Sequence, residues 1–264
     1  LNAELLAYLD DERPVRLVLA SEARVFSAGF DLKFILGKIE EEDYDGIDAA
    51  LQDLQNLGLA LSRIPTASAV SGLCFGGGFE MAASCTKMLV TPETQLGFPE
   101  SLVGLIPAGG GLALMRLRNQ SSAKDIAGIA KIISIGQCSS NADEAKKLGL
   151  LRDTDVTVYH ADGLITDAKA AVMDLSAAPS PDWAPVAGPV IGMIEREQAE
   201  LTKAGQFSSH DGLISDKIKS VLAKSVNYDD ALAKERSLFL GLLREGLTVA
   251  RIRHMLETGK PLRN

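Results

Sequence analysis

Cysteine and histidine are too few and too scattered to build a metal centre or a disulfide framework. Cys74, Cys85 and Cys138 form no CxxC pair, and three is an odd number. They read as buried, reduced thiols of a cytoplasmic protein. His160, His210 and His254 are spread along the chain without ligand spacing. Positive charge is short as well: 27 Lys and Arg against 35 Asp and Glu leave a net charge of −8. An acidic surface repels phosphate backbones, which argues against a nucleic acid partner. An anionic ligand must then be met by local cations or by helix N-termini. No apolar run reaches about 18 residues. No segment reads as a signal peptide or lipidation motif, so no membrane association is expected. The sequence begins at Leu1 rather than Met, which suggests a fragment or a processed form of a longer chain.

What is present is apolar residue and glycine. Hydrophobic residues make up 46% of the 264, with 24 glycines, enough for one large domain or a core with an appendage. "NAELLAYLDD" reads as a short helix behind Asn2, and "PVRLVLAS" as a strand. Ile47, Leu51, Leu54, Leu57, Leu61 and Ile64 recur at helical spacing, which predicts an amphipathic helix over "YDGIDAALQDLQNLGLALSRI". "TASAVSG" and "KMLVTP" read as strands on either side of a glycine-entered helix, "GGFEMAASCT". "LALMRLRN" begins another helix after the loop "GLIPAGGG". "SNADEAKKLGL" is a capped helix stopped at Gly149. Strand and helix alternate, so the expected class is α/β. "LKFILGKIEEEDYD" reads as a mobile loop carrying a charged run. Pro179, Pro181, Pro185 and Pro189 rule out a helix or a central strand where they cluster. The expected organisation is a core over 1–178, a Pro-rich linker over 179–189 and a helical region over 190–264. No internal repeat is visible.

The chemistry starts at "SGLCFGGGFEMAASC". Three glycines before a helix let backbone N–H groups face a ligand without hindrance from Cβ atoms. The spacing fails both the Walker A pattern and the dinucleotide fingerprint, and an acid on the first turn would repel phosphate. An oxyanion survives that test. Glu80 lies three residues after Gly77, which puts its side chain on roughly the same side of the helix as the Gly77 amide. A donor for a developing oxyanion and a proton-transfer group would then face one carbonyl compound. The plainer alternative is that the glycines permit close packing and Glu80 only complements the helix dipole. "QLGFPESLVGLIPAGGG" adds a second acid, Glu100, and "VFSAGFDLKF" a further turn with a spare amide.

Together these stretches resemble the crotonase (enoyl-CoA hydratase/isomerase) superfamily. "FSAGFDLK" is similar to that family's first oxyanion-hole turn, "GGGFEMA" to its second, and "FPESLVGLIPAGG" to the acid-bearing loop that follows. They stand in the family's order, and the resemblance covers roughly residues 1–155. It implies a crotonase-like fold of repeated β-β-α units with a helical C-terminal extension. It implies that the backbone N–H groups of Phe30 and Gly77 hold a thioester oxygen, and that Glu80 and Glu100 handle water. Ala28, Phe30, Asp31, Leu32, Lys33, Gly76, Gly77, Pro99 and Gly104 would contact the substrate. Lys33 would approach the anionic CoA portion, and Arg24 is a weaker candidate for the same role. No metal and no redox cofactor are implied, CoA being part of the substrate. A trimer or a dimer of trimers is implied. "SSHDGLISDKIKSVLAKS" and "ARIRHMLETGKPLRN" resemble the tail of crotonase modules fused behind a 3-hydroxyacyl-CoA dehydrogenase, so a dehydrogenase domain or subunit is a further expected partner.

Three positions depart from the family pattern. Phe30 stands where a small residue is usual, and its ring is expected to narrow the pocket. Leu112, Ala113 and Leu114 replace the usual polar trio. The strand pair that normally precedes the first helix is not in the sequence given. Hydration of trans-2-enoyl-CoA is the leading expectation, because both acids are present. Double-bond isomerisation, which one shuttling acid can perform, is the first rival. A non-catalytic acyl-CoA-binding or assembly module is the second. A serine peptidase is disfavoured, since no serine stands at position 77 or 80.

Overall fold

A computed structural model describes residues 16–178, 182–184, 186 and 188–264. The helix expected over "NAELLAYLDD" and the linker prolines Pro179, Pro181 and Pro185 lie outside those residues. The apolar run Leu17–Ala20 forms strand β1. It pairs in parallel with β2, Thr66–Val70, with Val18 opposite Ala67. β2 pairs in parallel with β4, Lys87–Val90, and β4 with the short β6, Val156–Thr157, giving the order β1-β2-β4-β6. Every residue of β2 is buried, as a parallel strand covered on both faces must be. A smaller parallel sheet joins β3, Leu73–Phe75, to β5, Gln95–Gly97. Its edge continues through a bridge between Ser27 and Cys74. This small sheet carries the glycine run, the first turn and the approach to Glu100.

Helix α1, Leu32–Glu40, occupies the segment expected to be a mobile loop. Asp31 caps it, accepting hydrogen bonds from the Lys33 and Phe34 amides, and Ile35 is buried on its inner face. The acidic run is the end of this helix and the start of the next. Lys38 pairs with Glu41 and Asp43 there, and Asp43 caps α2, Tyr44–Ser62. α2 buries Ile47, Leu51, Leu57 and Leu61 as the spacing predicts. It also buries Gln55, which donates to the carbonyls of Ala108 and Leu232.

Helix α3, Gly77–Ser84, lies against the central sheet, where Ser68 Oγ donates to the Ala82 carbonyl. α4, Gly111–Arg118, follows the glycine-rich loop, then α5, Ala123–Ser134, and α6, Ala142–Lys147. α7, Leu164–Met173, packs Leu164, Ala168 and Val172 with Ala67 and Ala69 of β2. The chain ends in α8, Pro189–Lys203, α9, Ser209–Lys224, α10, Tyr228–Leu243, and α11, Gly246–Thr258. Pro189, expected in the linker, is instead the first residue of α8, where its missing N–H removes no helical bond. Trp183 is anchored by its indole N–H on the Ser225 carbonyl and by the Arg116 guanidinium over its ring. The largest cluster of buried apolar side chains runs without a break from Ile35, Leu51 and Phe79 to Ile218, Phe239 and Ile252. No helix of the described residues is long and apolar enough to cross a membrane.

Candidate functional site

Two turns meet at the N-terminus of α3. Gly76 has φ 54° and Gly29 φ 98°, both in the region that costs an L side chain strain. A Cβ on Gly76 would lie 3.4 Å from Gly29 Cα and 2.7 Å from Glu100 Oε1. Glycine is therefore what lets the two turns and the second acid converge. Hydrogen bonds among the described residues leave the amides of Phe30 and Gly77 without a protein acceptor. Both residues line one mostly apolar cavity of about 250 Å³.

The two acids enter this cavity from different elements. Glu80 projects from the first turn of α3 and is buried. Its Oε1 accepts from the amides of Gly109, at 2.8 Å, and Gly111, at 2.7 Å. Its Oε2 faces the backbone at Gly77 and Gly109. Burial pushes the Glu80 carboxyl up to about 7, against the pull of those two amides toward the ionised form. Glu100 follows Pro99 in a short 3₁₀ turn, Pro99–Val103. Its Oε2 is buried with no hydrogen-bond partner. Burial, reinforced by the negative charge of Glu80, holds the Glu100 carboxyl well above the usual carboxylate range. The pair is thus graded: the acid gripped by amides ionises first, and the ungripped one keeps its proton.

Of the residues expected at the site, Ala28, Phe30, Leu32, Gly76, Gly77, Glu80, Pro99 and Glu100 line the cavity together. Asp31, Lys33 and Gly104 do not. Asp31 is occupied as a helix cap. Lys33 and Arg24 are exposed. Gly104 ends the 3₁₀ turn at φ 83°, where a Cβ would press on Thr248. The Phe30 ring packs beside Phe34, centroids 6.0 Å apart, at the cavity wall. The cavity is closed further by residues that motif reading passed over: Ile35 from α1, Leu51 and Leu54 from α2, Phe239 from α10 and Met255 from α11.

One more acid was missed. Glu235 of α10 is fully buried and accepts from the amides of Gly110, at 2.8 Å, and Ala113, at 2.7 Å. Those amides belong to the same helix N-terminus that holds Glu80. No local motif marks Glu235, which lies 125 residues from Gly110.

A sequence model of the family described as "Enoyl-CoA hydratase/isomerase" matches residues 2–173. A "Probable 3-hydroxyacyl-CoA dehydrogenase" from Bacillus subtilis (strain 168) is 29% identical over 271 residues, covering 94% of this chain and 34% of that protein. That match reaches into the C-terminal helices. A "Probable enoyl-CoA hydratase" from Rhizobium meliloti (strain 1021) is 32% identical over 156 residues, covering 57% of this chain and 55% of its own. The chain thus spans about a third of the first relative's length and just over half of the second's. Among solved structures, an enoyl-CoA hydratase from Rhodobacter sphaeroides 2.4.1 superposes with a TM-score of 0.71 at 17% identity, over 100% of this chain and 82% of that one. A carnitinyl-CoA dehydratase from Mycobacterium thermoresistibile gives 0.65 at 21% identity, over 98% and 81%. At such identity these two likenesses speak for the fold, which is the one the sequence motifs imply.

Proposed function

Since the chain belongs to the enoyl-CoA hydratase/isomerase family, we propose that it hydrates trans-2-enoyl-CoA thioesters to 3-hydroxyacyl-CoA. The observation that carries this reading is the graded acid pair beside two open backbone amides in one apolar cavity. The thioester oxygen sits between the Phe30 and Gly77 N–H groups. Their pull, aided by the positive end of α3, draws electron density from the conjugated double bond and leaves the β carbon electrophilic. Glu80, ionised, takes a proton from water as the water oxygen bonds to the β carbon. The double bond's electrons move through the α carbon to the carbonyl, giving an enolate oxygen held by the amides. As the carbonyl re-forms, the α carbon takes the proton of Glu100. One proton passed from Glu80 to Glu100 through the next water restores the pair. Each well-aimed oxyanion donor contributes about 3–4 kcal/mol to the transition state.

The reaction needs no metal and no redox cofactor. CoA enters as part of the substrate, with exposed Lys33 available to its phosphates. Relatives whose names read "Peroxisomal fatty acid beta-oxidation multifunctional protein", from Arabidopsis thaliana, support fatty-acid β-oxidation as the setting. The product carries a hydroxyl at the carbon a 3-hydroxyacyl-CoA dehydrogenase oxidises, so such an enzyme, as a domain or a subunit, is the natural partner. A homotrimer or dimer of trimers and a cytoplasmic location belong to the same proposal.

The test is loss of enoyl-thioester absorbance on crotonyl-CoA, with E80Q and E100Q assayed separately. Each variant is expected to lose about 10²–10⁴-fold in kcat. Double-bond migration that survives in E100Q while hydration is lost would replace hydratase with isomerase. Tight acyl-CoA binding by a wild-type chain that adds no water would make it a binding module.

A further inference from the structure

Glu235 is a buried acid that the proposed reaction does not use. It does not line the cavity, so it cannot touch the substrate. Among the described residues no cation pairs with it. Its neighbour Arg236 is engaged with Asp48 and Gln55 of α2. What Glu235 touches is the five-residue stretch that holds Glu80. Amides along that stretch alternate: Gly109 and Gly111 donate to Glu80, while Gly110 and Ala113 donate to Glu235. Gly110 at φ 106° permits the alternation, because successive N–H groups must point to opposite sides. Capping a helix start does not require a buried acid; a serine, threonine or aspartate at the cap position serves. A carboxyl brought from a distant helix, held well above the usual carboxylate range by its burial, fixes both sides of the stretch at once, each of its oxygens accepting from one amide.

We propose that Glu235 is a positioning residue for Glu80: by gripping the Gly110 and Ala113 amides from α10 it keeps the Gly109 and Gly111 amides aimed at Glu80 Oε1. The C-terminal helical region is then part of the acid–base apparatus. This rests on Glu80 being the base of the proposed hydration. The titratable neighbours around Glu235 are Glu80 from α3 and Tyr228 from α10 itself, with Arg118 of α4 acting on Tyr228.

E235Q keeps the shape but leaves one of the two amides facing an NH₂ group. E235D keeps a carboxyl but is too short to span both amides. In each, kcat for crotonyl-CoA hydration is expected to fall about tenfold or more with KM nearly unchanged, because a small misplacement of a reacting group costs rate rather than binding. In E235Q the rising limb of the kcat/KM–pH profile is expected to stay in place or move to lower pH, since a neutral amide adds no negative charge that could hinder ionisation of Glu80. Hydrogen exchange at the Gly109 and Gly111 amides is expected to accelerate in both variants, a readout that needs no substrate. It therefore separates failure of this proposal from failure of the hydratase reading, which wild-type activity and E80Q decide. Circular dichroism establishes folding, and if E235Q does not fold, E235D decides. Folded variants with wild-type kcat and unchanged exchange at Gly109 and Gly111 would overturn the proposal, as would a rise in KM alone.

Discussion

Burying Glu100 with an unpartnered oxygen costs free energy that a neutral side chain of the same shape would not. Its raised pKa expresses that cost as a dependence on pH. The folded state favours the protonated acid, so the stability linked to Glu100 is fully present below the unfolded carboxylate value. It declines as pH rises from there toward the folded value. The loss is about 1.4 kcal/mol per pH unit across that window. At neutral pH E100Q is therefore expected to melt at or above the wild-type temperature while its hydration activity collapses, which differential scanning calorimetry and the absorbance assay check together. A lower Tm for E100Q at neutral pH would show that the wild-type carboxyl is stabilised there by something other than the packing described. The same grading sets the activity profile. The proposed hydration needs Glu80 ionised and Glu100 protonated, so kcat/KM should rise with pH through about 7, where Glu80 titrates, and fall again above it. A flat profile across that rise would remove Glu80 from the role of base.

The elements behind the two acids are held by the C-terminal helices. Thr248 of α11 donates to the Gly104 carbonyl and is itself bonded to His210 at 2.8 Å. Arg251 reaches the Ser101 carbonyl at 3.1 Å and Asp211 at 2.7 Å, nearly excluded from solvent. These bonds fix the middle and the C-terminal end of the 3₁₀ turn that carries Glu100. R251M keeps the stem and removes the charge, leaving Asp211 with only its Ser208 partners. A loss of about 3 kcal/mol in urea unfolding is expected, along with a weaker hydration rate; a change below about 0.5 kcal/mol would mean the pair is solvated in solution. How much of this was legible in the sequence depends on distance along the chain. α2 could be read from its own spacing, because one face of one helix reports burial directly. α3 and the two turns could be read because glycine is required where backbones touch. α1 was legible but misread: Leu32, Ile35, Leu36 and Ile39 follow helical spacing, and the acidic residues beyond them outweighed that pattern. Gln55 sat in plain view on an apolar face, and its partners Ala108 and Leu232 did not. Glu235 and Arg251 act across more than a hundred residues, where no local period carries a signal.

For the whole molecule, the boundary suggested by the prolines separates stretches of sequence that share one interior. Val190, Ile194, Ile218, Leu222, Phe239 and Ile252 from the C-terminal helices belong to the same buried cluster as Phe79, Leu112 and Ile133. Each fully buried side chain of this kind contributes roughly 1.5–3 kcal/mol, while net stability of a whole domain is about 5–15 kcal/mol. Removing the helices would expose the partner faces of α4 and α5 and take Glu235, Arg251 and Thr248 away from the loops they hold. A chain ending at residue 188 is therefore expected to lack a cooperative thermal transition, to elute as aggregate in size-exclusion chromatography, and to show no hydration of crotonyl-CoA. If it instead melts cooperatively and hydrates at a rate near that of the full chain, the helices are an appendage. The acid pair would then be set by the core alone, and the grip of α10 and α11 on its loops would be incidental to the chemistry.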